Sequence, residues 1–175
     1  MASKHPVTFR RMVAVAILLL AYPAKGNTTA TQAGDFGFRF AVEHCLTERL
    51  DTFSGIFTKN LGGEPARTVT APIVLTDAQM GEVYRTIENI GFFDYPLAFV
   101  GVRKDAKEIM MTIPYDTYRF EVRNAGVVHT VSWRDSEKPT TVEADRLRDL
   151  FSMIRGFIYE HPEFKRLPAP IGGCE

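Results

Sequence analysis

The side chains that could carry acid–base, nucleophilic or metal chemistry are spread thinly along this chain of 175 residues. His44, His129 and His161 stand far apart, with no spacing that would set two imidazoles on one helical turn, so a histidine metal site has no local support. His129 sits among apolar neighbours and reads as a satisfied core or boundary histidine, whereas His44, beside Glu43, reads either way. No Ser occupies a sharp Gly-flanked elbow of the kind that exposes a nucleophile, since Ser54-Gly55 lies in a strand-like stretch. Asp51 with Glu43, or Asp116 with Glu121, could form a carboxylate pair for hydrolysis, but only if the fold brings each pair together. Solvated strand charges explain them more simply. Leu61-Gly62-Gly63-Glu64 runs between two strand-like segments and not from a strand into a helix, so it does not match a phosphate-binding loop. No cofactor or metal is implied.

The strongest pattern is a set of charges at alternate positions. Arg39, Arg119 and Arg123 form a cationic stripe interleaved with Glu43 and Glu121. Arg39, Arg119, Glu121 and Arg123 are therefore the candidate ligand-binding residues, suited to an anionic group or a partner protein. A solvated face of mixed charge is the simpler reading of the same pattern.

The ends of the chain set the compartment. Lys4, His5, Arg10 and Arg11 precede an apolar run from Met12 to Ala21, and Ala24-Lys25-Gly26 supplies small residues at the positions a signal peptidase reads. Residues 1–26 are expected to be a cleaved signal peptide. The alternative is an uncleaved membrane anchor, but about ten apolar residues rise only about 15 Å as a helix, against about 30 Å of hydrocarbon, and no later stretch reads as a span. Cleavage removes Lys4, Arg10, Arg11 and Lys25 and no acidic residue from a chain with 21 basic and 21 acidic side chains. The mature protein is then mildly acidic, which disfavours nucleic acid as a partner. Secretion or a periplasmic location follows.

Cys45 and Cys174 are the chain's two cysteines. In an oxidising compartment they are expected to pair, closing a loop worth on the order of 5 kcal/mol of chain entropy. A redox-active pair would want a Cys-x-x-Cys spacing, which is absent from the sequence.

Residues 27–35 lack apolar period and read as a flexible leader, followed by a single domain over 36–175. Asn27-Thr28-Thr29 matches a glycosylation acceptor at the expected new terminus, and chance is the simpler explanation. Phe36, Phe38, Phe40 and Val42 alternate with polar or small residues, predicting a first strand. Leu50 to Lys59 reads as one second strand bent or bulged at Gly55, and Arg67 to Leu75 as a third, at a sheet edge because of Pro72. Thr76-Asp77-Ala78-Gln79 matches a capping box, Met80, Val83, Tyr84, Ile87 and Ile90 keep helical spacing, and Gly91 suits a left-handed cap. The aromatic exit, Phe92-Phe93-Asp94-Tyr95-Pro96, is expected to fold back on the core. A loop and a short strand are expected between Ala98 and Pro114.

Tyr118 to Val122 and Val127 to Trp133 form a predicted hairpin about Asn124-Ala125-Gly126. Pairing Arg123 with Val128 sets Val122 against His129, Phe120 against Val131 and Tyr118 against Trp133, which makes one face apolar. Thr140-Thr141-Val142-Glu143 predicts a second capping box. Leu147, Leu150, Phe151, Ile154, Phe157 and Ile158 then form the apolar stripe of a long helix that Pro162 stops, leaving a Pro- and Gly-rich tail.

Two stretches, FRFAVEHCLTERLDTFSGIFTKNL and LTDAQMGEVYRTIENIGFFDYP, resemble uncharacterised secreted or lipid-anchored bacterial proteins that combine a Cys, an LDTF-like strand and an LT-capped helix ending in FFDYP. The resemblance implies export and fold and carries no activity. The chain departs from the lipid-anchored members by lacking a cysteine just after the signal.

The expected fold class is α+β, with two layers: an antiparallel sheet of about five strands and two amphipathic helices on one face. The expected role is that of an exported, non-enzymatic domain binding a protein or envelope component through the open sheet face or the 98–114 loop. The alternative is a small secreted hydrolase whose acid–base residues assemble only in the fold.

Overall fold

A computed structural model describes residues 35–171. The expected signal peptide, Asn27 with the rest of the leader before Asp35, and Cys174 lie outside the described residues. Strand alternation sets the architecture from the outset. In β1 (Gly37–Glu43), Phe38, Phe40 and Val42 are buried while Arg39 and Glu43 are exposed, the period of two that a strand with one covered face requires. β2 (Thr47–Asp51), β3 (Ile56–Gly62) and β4 (Arg67–Pro72) follow as an antiparallel meander on one side of β1. On its other side β1 pairs antiparallel with β7 (Thr117–Asn124), which pairs in turn with β8 (Val127–Arg134). β5 (Ala98–Phe99) adds to β8 in parallel and completes the order β4-β3-β2-β1-β7-β8-β5. β6 (Met110–Met111) and β9 (Glu137–Lys138) form a separate two-stranded ribbon.

The sheet therefore has seven strands, where the sequence predicts about five. One extra strand arises because Leu50 to Lys59 is not a single bulged strand. Thr52 to Gly55 form a turn in which Gly55 takes φ 67°, a left-handed conformation that glycine adopts without steric cost. Asp51 Oδ1 closes this turn by accepting from the Phe53 and Ser54 amides. The other addition, β5, has two residues and no periodic pattern to announce it. β4 lies at a sheet edge as predicted, and ends at Pro72.

The hairpin of β7 and β8 has the predicted register: Arg123 faces Val128, Val122 faces His129, Phe120 faces Val131 and Tyr118 faces Trp133. Its two central turn residues, Ala125 at φ 49° and Gly126 at φ 79°, both lie in the left-handed region, which matches the twist of the flanking strands. Asp35 reaches across the chain to accept from the Gly126 amide at 2.9 Å.

α1 (Asp77–Ile90) carries the predicted capping box between Thr76 and Gln79 and ends on Gly91 at φ 65°. Phe92 and Tyr95 fold back into the core, at 0% and 7% exposure. α2 (Val142–Glu160) starts one residue later than its expected box. Thr141 caps it by accepting from the Ala144 amide, while Thr140 donates to Asp145 Oδ1. The residue three past the true cap is Ala144, so the reciprocal half of a box is missing. The tail also departs from expectation, because Pro162 opens a further turn of helix, α3 (Pro162–Lys165), with His161 Nδ1 capping the Glu163 amide. Proline suits a first helical position, where its missing N–H is not needed.

Aromatic rings fill the core. Phe151 of α2 lies with its centroid 4.6 Å from Tyr118 and 5.5 Å from both Phe40 and Phe120. Phe92 meets Phe120 edge to face at 5.2 Å. α1 packs beside α2, and its buried Val83 and Ile87 join the same apolar cluster.

Phe151→Ala is expected to lower unfolding free energy by about 3–5 kcal/mol, read as a lower urea midpoint. Ala125→Asn is expected to raise stability by up to about 1 kcal/mol, because asparagine tolerates the left-handed region better than alanine, and thermal melts measure it.

Candidate functional site

The face of the sheet opposite the aromatic rings carries the charged side chains. Strand register arranges them in rows. Asp51, Arg39 and Glu121 sit side by side across β2, β1 and β7, and Arg49, Ala41 and Arg119 form the next row. Thr47, Glu43 and Thr117 form the row after that. Thr58 and Ser132 extend the Ala41 row onto β3 and β8. Because alanine is small among long neighbours, the surface dips there into a concavity of about 760 Å³, within the usual size range of ligand-binding clefts.

Within the first row the charges are spoken for. Arg39 Nε donates to Asp51 Oδ2 at 3.0 Å and Arg39 Nη1 to Glu121 Oε1 at 2.7 Å. Partial burial opposes ionisation of Asp51, but hydrogen bonds from Arg39 and from the Phe53 and Ser54 amides hold its carboxyl below the usual range. Arg123 does not line the concavity. Its guanidinium lies 4.5 Å from the centroid of the Phe53 ring, which Arg39 also approaches at 5.3 Å. The ring rests against Gly37, where any Cβ would collide with it.

Of the four predicted ligand-binding residues, Arg39, Arg119 and Glu121 therefore line one concavity and Arg123 stands outside it. Arg119 is exposed and has no ion-pair partner among the described residues. The same is true of Arg49, which the sequence reading missed. Its signal was present: Thr47, Arg49 and Asp51 alternate with Glu48 and Leu50, but the second strand was expected to begin only at Leu50.

Of the candidate acid–base groups, Glu43, Asp51 and Glu121 line this cleft, whereas His129 and Asp116 do not. Asp51 and Glu121 meet through Arg39, whereas His129 lies on the apolar side, paired opposite Val122, with Nε2 2.9 Å from the Tyr95 carbonyl oxygen. Asp116 belongs to a different cluster from Glu121. One of its oxygens lies 2.7 Å from His44 Nδ1, while the other accepts from Tyr118 OH at 2.6 Å and from Arg155 Nη1 at 2.9 Å. Burial, and after it the bond to Asp116, raise the Tyr118 phenol well above its ordinary pKa. Arg155 continues through Tyr159 to Glu48. Burial and the bond to Glu48 push the Tyr159 phenol up to about 12. Among the described residues, His44 is not hydrogen-bonded to any Ser or Thr hydroxyl, and no three His, Cys, Asp or Glu side chains are grouped to hold a metal ion.

Cys45 lies in the turn between β1 and β2, and its expected partner, Cys174, is outside the described residues. Among those residues no helix is long and apolar enough to cross a membrane. Beyond the sheet, Met110, Met111 and Ile113 of the 98–114 segment are 67%, 61% and 79% exposed. No protein-family model matches the chain, and no curated protein matches it.

Asp51→Asn is expected to melt below the native protein at pH 7. A carboxyl held below its unfolded value contributes stability above about pH 4 and loses it as pH falls through the folded value. The gap in melting temperature between the two proteins should therefore close as pH falls below about 4.

Proposed function

We propose that this protein is an exported, non-enzymatic domain that binds a protein or envelope component in the concavity of its charged sheet face. The observation that carries the reading is the cleft of about 760 Å³ that has Ala41 in its lining together with residues from five strands. Both helices are taken to cover the apolar face, with Phe151 and Phe92 in ring contact with Phe120 from that side, which leaves the charged face open among the described residues. The engagement of Asp51 and Glu121 by Arg39, and the place of His129 on the opposite face, weigh against the hydrolase alternative. Export rests on the residues 1–26 pattern and on the resemblance to secreted bacterial proteins. A Cys45–Cys174 bridge belongs to the same reading.

A second contact surface has its own support in the exposed Met110, Met111 and Ile113, since an apolar cluster open to water commonly marks an interaction site.

Ala41→Trp fills the cleft from an outward-facing position. The tagged native protein is expected to capture a specific partner from the extracellular or periplasmic fraction of its source, and the Trp variant, folded by thermal melt, to lose it. Capture that survives Ala41→Trp but fails in Met110→Glu/Met111→Glu moves the site to the loop. Turnover in a hydrolase screen without specific capture overturns the binding reading.

A further inference from the structure

The charges lining the cleft are three arginines (Arg39, Arg49, Arg119) and three carboxylates (Glu43, Asp51, Glu121). Their sum is zero, but their pairing is uneven. Arg39 is shared between Asp51 and Glu121, which engages all three side chains with one another and leaves that trio with one net negative charge. Arg49, Arg119 and Glu43 are all exposed, and among the described residues none has an ion-pair partner.

Their placement is fixed by register. Arg49 and Arg119 each face Ala41, one strand to either side, so their Cα atoms are about 10 Å apart. Two guanidinium groups reaching inward from such positions can meet over the small Ala41 side chain, and planar guanidinium donors match a carboxylate. Glu43 lies two residues further along β1, on the same face and about 7 Å from Ala41. Hydroxyls of Thr47, Thr58, Thr117 and Ser132 surround this arrangement.

From this arrangement we infer that the cleft takes a zwitterionic, peptide-like ligand, its carboxylate clamped by Arg49 and Arg119 over Ala41 and its ammonium against Glu43. A dianion such as a phosphate monoester would place its second charge toward Glu43. A lysine-like group, carrying carboxylate and ammonium at opposite ends of a short aliphatic chain, satisfies all three unpaired charges at once. The inference rests on the binding reading above and names the ligand class for the same site.

The test uses three probes of one length: 6-aminohexanoate, hexanoate and hexylamine, each titrated into the native protein with amide shifts followed by NMR. 6-Aminohexanoate is expected to bind at least tenfold tighter than either single-charge probe, with the largest shifts at Ala41 and its neighbours. Arg49→Met and Arg119→Met should each weaken it by tenfold or more. Glu43→Gln should erase its advantage over hexanoate while leaving hexanoate binding intact. Equal affinity for all three probes, shifts confined to another surface, or an Arg119→Met protein that binds as the native one does would overturn the inference. If partner capture is lost in Ala41→Trp yet unaffected in both arginine variants, the cleft still binds and only the ligand class is wrong.

Discussion

The antiparallel pairing of β1 with β7 is the constraint on which the rest of this structure depends. That one register sets Phe40 against Phe120 on one face and Arg39 against Glu121 on the other. Because successive strand residues point to opposite sides, a slip of one position would turn Phe38, Phe40 and Val42 into water and carry Arg39 toward the rings of α2. The two chemistries therefore enforce each other: burial of the aromatic row fixes the ion-pair row, and the ion pairs penalise the alternative register. β1 is paired on both sides, so its register propagates to β2 and β8 and thereby positions Arg49 and Ser132.

How much of this was legible depended on whether one local signal dominated. The β7–β8 hairpin could be read to the residue, because Tyr118, Phe120 and Val122 alternate cleanly and the short turn leaves one pairing that buries them all. The LDTFSGIF stretch could not, because its apolar residues fall on both parities. Phe53 looks like an inward strand residue, yet it caps the charged face over Gly37, 40% exposed. Reading it as strand merged β2 with β3 and left Arg49 outside any element. At α2 the adjacent threonines offered two caps, and Glu143 favoured Thr140, whereas the chain uses Thr141. Pro162 carries two meanings, the end of one helix and the first residue of another, and only tertiary packing chooses between them. Phe164 of α3 lies tilted against Tyr159 with ring centroids 4.7 Å apart and meets Phe57 edge to face, contacts no local rule reveals.

Long-range polar contacts were the least legible part. His44 and Asp116 are 72 residues apart, and Tyr159 and Glu48 111 apart. Their geometry has the outline of a histidine held by a carboxylate, which invites a catalytic reading. The remaining bonds argue for a structural one. Asp116 also takes hydrogen bonds from Tyr118 and Arg155, and Glu48 takes one from Tyr159 and forms an ion pair with Lys59. The chain from His44 to Lys59 thus joins the β1–β2 turn, the start of β7, α2 and β3, satisfying polar groups that packing has partly removed from water.

The charged face shows why net charge is a poor guide to what a surface binds. A chain with 21 basic and 21 acidic side chains has no cationic excess for a polyanion such as nucleic acid, but recognition of a small ligand depends on which charges lack a partner nearby. Cross-strand neighbours lie close enough to pair, and Arg39 is flanked by a carboxylate on each side, so it gains two bonds at little conformational cost. Arg49 and Arg119 are flanked by Ala41, Thr58 and Ser132, none of which is charged. An aspartate instead of alanine at position 41 would stand within pairing reach of both arginines and fill the dip between them. The small, uncharged residue at the centre is thus what leaves the two guanidinium groups unpaired and the cleft open, and both follow from a single position in β1.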